Sequence, residues 1–263
     1  MSDTGRWSDL AARMISGAVM VAVGLGAVAL GGDVFHVFVA LVCGAMIWEL
    51  GRMLAPETPG FAIQQGLLSG VVVLAAIYLP GMFVMPLILG AAIAGAGRLK
   101  QYRVVFALFS VLVLLAGYEM MAVRDNFGFV WMLWLVLVVV ASDVAGYFAG
   151  KVLGGPKFWP RISPKKTWSG TVAGWLGAGL VAVFFVGYQG TGILLVPFSM
   201  LVAFAAQMGD VSESAIKRMV GVKDSSGLIP GHGGVLDRFD GMLGGSVFVL
   251  LVGGFFNLPT GVG

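Results

Sequence analysis

Charge is scarce in this sequence. Asp, Glu, Lys and Arg make up 11% of 263 residues, while 59% are hydrophobic. The mean hydropathy is +0.96. Soluble domains carry about 25% charged and about 45–50% apolar residues, so a soluble globular fold is excluded. Cysteine is nearly absent. Cys43 stands alone inside an apolar run, which rules out an internal disulfide and a thiolate zinc cluster. There is no internal repeat, no low-complexity tract and little length left for a soluble domain. The net charge of +3 needs no nucleic-acid partner, because basic loops at an anionic membrane face account for it.

What is present is a series of long apolar runs. They predict an all-α, polytopic integral membrane bundle of about nine helices, at about 11–30, 34–54, 64–80, 82–97, 104–123, 128–150, 170–188, 191–209 and 242–258. Only helices satisfy their own backbone in lipid. The third and fourth runs, divided by Pro80-Gly81, also fit one re-entrant hairpin. The first run, behind Arg6 and Arg13, is expected to be an uncleaved span. With the N-terminus in the cytoplasm, 15 of the 16 basic residues fall on the inner side and only Arg124 falls outside. Residues 1–125 are then N-terminal membrane helices. Residues 126–263 form a C-terminal catalytic region with long cytoplasmic loops at 151–169 and 210–241.

The scarce charge is concentrated. Residues 209–245 hold Asp210, Glu213, Lys217, Arg218, Lys223, Asp224, His232, Asp237, Arg238 and Asp240. As a helix, 209–219 places Asp210, Glu213, Ser214 and Lys217 on one face. A solvated helix end with a Glu213–Lys217 pair explains the same spacing, but Asp210 directly follows an apolar run, where acids are costly and tend to be functional. Gly231, Gly233 and Gly234 around His232 can turn backbone N–H groups toward an anion. Asp237 and Asp240, three apart, can share a divalent cation, although an acid at a helix start is favourable in any case. Asp143 is the lone acid of its span and calls for a partner within the bundle. Lys165 and Lys166 sit in a proline-bounded basic loop suited to phosphates, or simply to anionic lipid. Glu49 and Arg52 read as a snorkelling or paired helix end. Gly24-Gly26, Gly174-Gly177 and Gly253-Gly254 are candidate helix contacts.

Ser214, Lys217, Arg218, Lys223, Asp224, His232, Gly233, Gly234, Asp237, Arg238 and Asp240 together resemble the pattern S-x-x-K-R, K-D, H-G-G-x-x-D-R-x-D of the phosphatidate cytidylyltransferases, with every spacing kept over 27 residues. The segments SDVAGYFAGKVLGG and ISPKKTWSG resemble that family too. The resemblance implies transfer of the cytidylyl group of CTP to phosphatidate, giving CDP-diacylglycerol and pyrophosphate in phospholipid biosynthesis. It implies Mg²⁺, with a second, monovalent cation left open. It makes Asp210 and Asp237 the foremost metal ligands and catalytic residues, with Asp143, Glu213, Asp224 and Asp240 behind them and Lys217 and His232 as further catalytic groups. Ser214, Lys165, Lys166, Lys217, Arg218, Lys223 and Arg238 would bind substrate. The site would face the cytoplasm from the inner (plasma) membrane, and a homodimer is expected. Two other readings stay open at this point: a CTP-dependent polyprenol or lipid-alcohol kinase, which would release CDP, and an anion transporter, which would spread charge through its spans.

Overall fold

The computed structural model describes residues 3–256, with side chains described for 13–254. The side chain of Arg6 and the end of the last predicted span (257–258) lie outside the described residues. Nine α-helices are formed among the described residues: α1 Asp3–Leu30, α2 Gly32–Leu54, α3 Pro59–Tyr78, α4 Val84–Arg98, α5 Arg103–Phe127, α6 Phe129–Val152, α7 Trp168–Val183, α8 Leu195–Val220 and α9 Leu236–Val252. Seven of these segments are long and apolar enough to cross a membrane, whereas α7 and α9 have 16 and 17 residues. The protein is an all-α integral membrane protein. The third and fourth apolar runs form separate helices, joined through Pro80 and a 3₁₀ turn at Gly81–Phe83.

The chain packs as two units. The first comprises Met1–Leu114 and Val220–Phe239, and the second Leu115–Met219 and Asp240–Gly263. In the first, glycines let α2 and α3 touch backbone to backbone. A Cβ on Gly66 would stand 2.7 Å from the Gly44 carbonyl oxygen and 2.9 Å from Trp48 Cβ. In the second, α6 and α7 meet in the same way. A Cβ on Gly170 would come 2.5 Å from the Gly146 oxygen, and one on Gly177 would come 3.0 Å from Ala145 Cβ. Gly174 is equally tight, but Gly24 and Gly26 have nothing within 4 Å of a built Cβ, so the expected contact there does not form. Aromatic rings fill the second unit's interior, where the buried Trp134 indole donates to Ser199 Oγ at 3.0 Å and stacks on Phe198.

Three segments differ from expectation in ways that position the site. The first is 151–169, which is more than a loop. Lys157–Trp159 (β1) and Ser163–Thr167 (β2) pair as an antiparallel hairpin. Thr167 then caps α7, its hydroxyl accepting from the Gly170 N–H at 3.2 Å. The second is α8, which continues eleven residues past 209 to Val220. Residues 210–218 contain no helix breaker, and Lys217 and Arg218 in the last turn suit the negative end of the helix dipole. Gly221, at φ +76°, ends the run. The third is α9, which begins at Leu236 instead of 242.

Candidate active site

Asp210, Glu213 and Asp240 form an acidic group in the second unit. Each offers one carboxylate oxygen, and these oxygens lie within 4.8 Å of one another. Helix periodicity places Asp210 and Glu213 on one face of α8. The approach of α9 places Asp240 beside them, and two glycines make that approach possible. A Cβ on Gly209 would overlap the Asp240 carbonyl oxygen, and one on Gly244 would overlap the Ala205 carbonyl oxygen. The Asp240 side chain accepts from the Gly241 N–H at 2.8 Å.

Two lysines offset this negative charge. Lys166 Nζ is 2.6 Å from Asp210 Oδ2 and also donates to the Gln207 carbonyl oxygen at 3.3 Å. Lys217 Nζ is 2.5 Å from Glu213 Oε2, on a carboxylate that is fully buried. On β2, Lys166 is part-buried against Asp210 and Gln207, while Lys165 is exposed. Ser214 Oγ donates to Asp210 Oδ1 at 3.2 Å. Asp143 is exposed, which departs from the expectation of a carboxylate buried in the bundle. Its Oδ2 stands 3.7 Å from where a Cβ on Gly241 would be, so it borders the group. Three carboxylates held this close repel one another, and an all-oxygen donor set suits a hard divalent cation. The residues present therefore fit such an ion.

The rest of the motif belongs to the first unit, in the loop 221–235 and the start of α9. Asp237 Oδ2 accepts three hydrogen bonds: from the Ser225 N–H at 2.9 Å, the Ser225 hydroxyl at 2.9 Å and the Gly234 N–H at 2.7 Å. The last ties the Asp237 carboxylate to the backbone just ahead of the helix start, where an acid is favourable. His232 does not present its backbone to an anion. Its N–H donates to the Ile229 carbonyl at 2.9 Å, closing a tight turn. With the Gly234 N–H on Asp237, two of the amides expected to form an anion nest are engaged internally. The His232 ring meets α1, with Nδ1 2.8 Å from Ser16 Oγ, and that hydroxyl also donates to the Pro230 carbonyl at 2.9 Å. Arg238 Nε donates to the His232 carbonyl at 3.0 Å. Lys223, Asp224 and Arg238 are exposed, as is Arg218 in the last turn of α8 in the second unit.

Glu49 is the residue that sequence reasoning misjudged. It neither snorkels nor pairs with Arg52, whose guanidinium lies 5.2 Å over the Trp48 ring. Glu49 is fully buried and accepts from four donors: the hydroxyls of Ser225 and Ser226 and the N–H groups of Val235 and Leu236. Its one visible signal was an acid within a helix whose neighbours Ile47 and Leu50 are apolar. Its partners lie at least 176 residues away.

Carboxylates and lysines gathered on membrane helices, beside a basic hairpin, are the equipment of a membrane-bound enzyme of phosphate-group transfer. The sequence profile of the cytidylyltransferase family matches residues 11–256, and the chain belongs to that family. A Brucella suis protein named phosphatidate cytidylyltransferase is 34% identical, across 96% of each chain. A Helicobacter pylori protein of the same name is 45% identical over 49% of each chain. One from Staphylococcus haemolyticus is 34% identical over 60% of this chain and 62% of its own.

Proposed function

We propose that this protein transfers the cytidylyl group of CTP to phosphatidate, forming CDP-diacylglycerol and releasing pyrophosphate. The observation that carries this reading is the grouping of Asp210, Glu213 and Asp240 with Lys166 and Lys217, in a chain that keeps the whole spaced motif from Ser214 to Asp240. In the reaction, a phosphate oxygen of the lipid forms a bond to the α-phosphorus of CTP. The bond from that phosphorus to the oxygen bridging the β-phosphorus breaks, and pyrophosphate leaves with the electron pair. The attacking phosphate is already ionised near neutral pH, so no strong general base is needed.

Both reactants are anions, and their repulsion is the barrier these residues address. The acids of α8 and α9 would hold a divalent cation, taken as Mg²⁺ from the oxygen-only donors, which supplies positive charge to the phosphates. Asp237 remains a candidate ligand on the strength of the sequence pattern. Lys166 and Lys217, each held by an acid, are placed to turn toward phosphate oxygens. Lys165, Arg218, Lys223 and Arg238 are exposed cations that bind the nucleotide or the lipid headgroup. The bias of basic residues to one side supports a site at the cytoplasmic face, with phosphatidate supplied from the inner leaflet. A homodimer belongs to the same reading and is checked by mass in detergent.

The test is a purified-protein assay with CTP, phosphatidate and Mg²⁺. Equal amounts of CDP-diacylglycerol and pyrophosphate are expected. Release of CDP with phosphorylation of a lipid alcohol would instead establish a kinase and overturn the reading.

A further inference from the structure

We infer that Glu49 is a positioning residue for the motif loop: it fixes both ends of the segment 225–236 and, through Ser225, sets the place of Asp237. Oε1 accepts from the Ser226 hydroxyl at 2.5 Å and the Val235 N–H at 2.9 Å. Oε2 accepts from the Leu236 N–H at 2.7 Å and the Ser225 hydroxyl at 3.1 Å. The two serines open the segment and the two amides close it, so one side chain on α2 clamps the loop at both ends. The amides are those of the N-cap and the first residue of α9, where backbone donors lack partners within the helix. Glu49 therefore caps α9 from a distant helix.

Ser225 carries the coupling to Asp237. Its hydroxyl oxygen stands 3.1 Å from Glu49 Oε2 and 2.9 Å from Asp237 Oδ2, so the two carboxylates share its single hydrogen. The joint is also sterically closed. A Cβ on Gly234 would fall 2.5 Å from Glu49 Oε1 and would overlap Ser225 Oγ. A fully buried acid is a poor choice for packing alone, since an apolar side chain of similar volume stabilises a helix contact at least as well. What the acid provides is one loop conformation, selected by four directed bonds. That loop carries His232 and leads into Asp237 and Arg238.

The activity readout below rests on the proposed cytidylyl transfer, and the exchange readout does not. In the purified full chain, Glu49→Gln keeps the shape but turns one oxygen into an NH₂ group, which in either orientation faces a backbone N–H, that of Val235 or of Leu236, donor against donor. We expect kcat to fall about 100-fold, with KM for CTP changed less than about threefold, because misplacement of reacting groups acts on the chemical step. Amide exchange should quicken across 225–236 while α2 and α3 keep their protection. Unchanged kcat would overturn the inference, and so would lost activity with unchanged exchange at 225–236. If Glu49→Gln fails to insert, Ser226→Ala decides, as it removes one donor of four. Faster exchange with about a tenfold loss in kcat supports the clamp, and wild-type behaviour in both overturns it. If the wild-type chain makes no CDP-diacylglycerol, the proposed function fails, while the exchange comparison still tests the clamp.

Discussion

Acidic side chains do opposite work in the two units. In the first, Glu49 and one oxygen of Asp237 accept from hydroxyls and backbone N–H groups of the loop and helix start. In the second, Asp210 and Glu213 face the flexible ammonium groups of Lys166 and Lys217, with Asp240 crowded against them. An acid saturated by fixed neutral donors is built to stay and to hold a chain segment in place. Acids crowded together and offset by lysines keep charge that can be redistributed when a cation and phosphates arrive. Residue type alone does not separate the two cases; the partners do.

Substitutions can break this comparison, and the largest effect belongs to the crowded acids. Asp210→Asn should lower turnover about 1000-fold, as removing one preorganised electrostatic group commonly costs about 10²–10³. The variant should still purify as a folded protein, since Asp210 is only part-buried. Activity within threefold of wild type, about 0.6 kcal/mol, would remove it from the site. Gly209→Ala comes next. Its Cβ would meet the Asp240 carbonyl, forcing α8 and α9 apart at a cost of about 1–3 kcal/mol. A lowered thermal midpoint with a larger loss of activity is expected, and an unchanged midpoint would show that the helices adjust freely.

The hairpin sharpens the comparison further, because it holds two adjacent lysines with different surroundings. Lys166→Ala should reduce kcat/KM about 10²-fold, while exposed Lys165→Ala should cost less than about tenfold and lose even that at high salt. Equal losses would mean that the inward turn of Lys166 is irrelevant. The smallest effect is expected at Ser214→Ala, which removes one hydrogen bond to Asp210, worth about 1 kcal/mol, and should be measured as a few-fold rise in the Mg²⁺ needed for half activity.

The sequence made the helices legible because lipid demands long apolar runs, and the seven membrane-length segments follow them. The helical face of Asp210, Glu213, Ser214 and Lys217 was also readable, since it needs only the 3.6-residue period. Helix ends were less so. Apolar content marks where lipid stops, whereas α8 stops only where Gly221 breaks it. The acidic group required a tertiary fact: the contact of α9 with Gly209 brings Asp240 to Asp210 and Glu213, and the loop's own donors engage Asp237 Oδ2. Glu49 was the least legible. A single acid in a membrane helix has no local pattern, and its four donors come from a loop more than 170 residues later.

The central claim is that the acids of α8 and α9 hold a divalent cation. Titration of the purified protein with Mn²⁺, followed by electron paramagnetic resonance of the free ion, reads this without any substrate. Saturable binding is predicted for the wild type, with affinity lowered about tenfold or more in Asp210→Asn and in Asp240→Asn. Binding of the same strength in both variants and the wild type would contradict it.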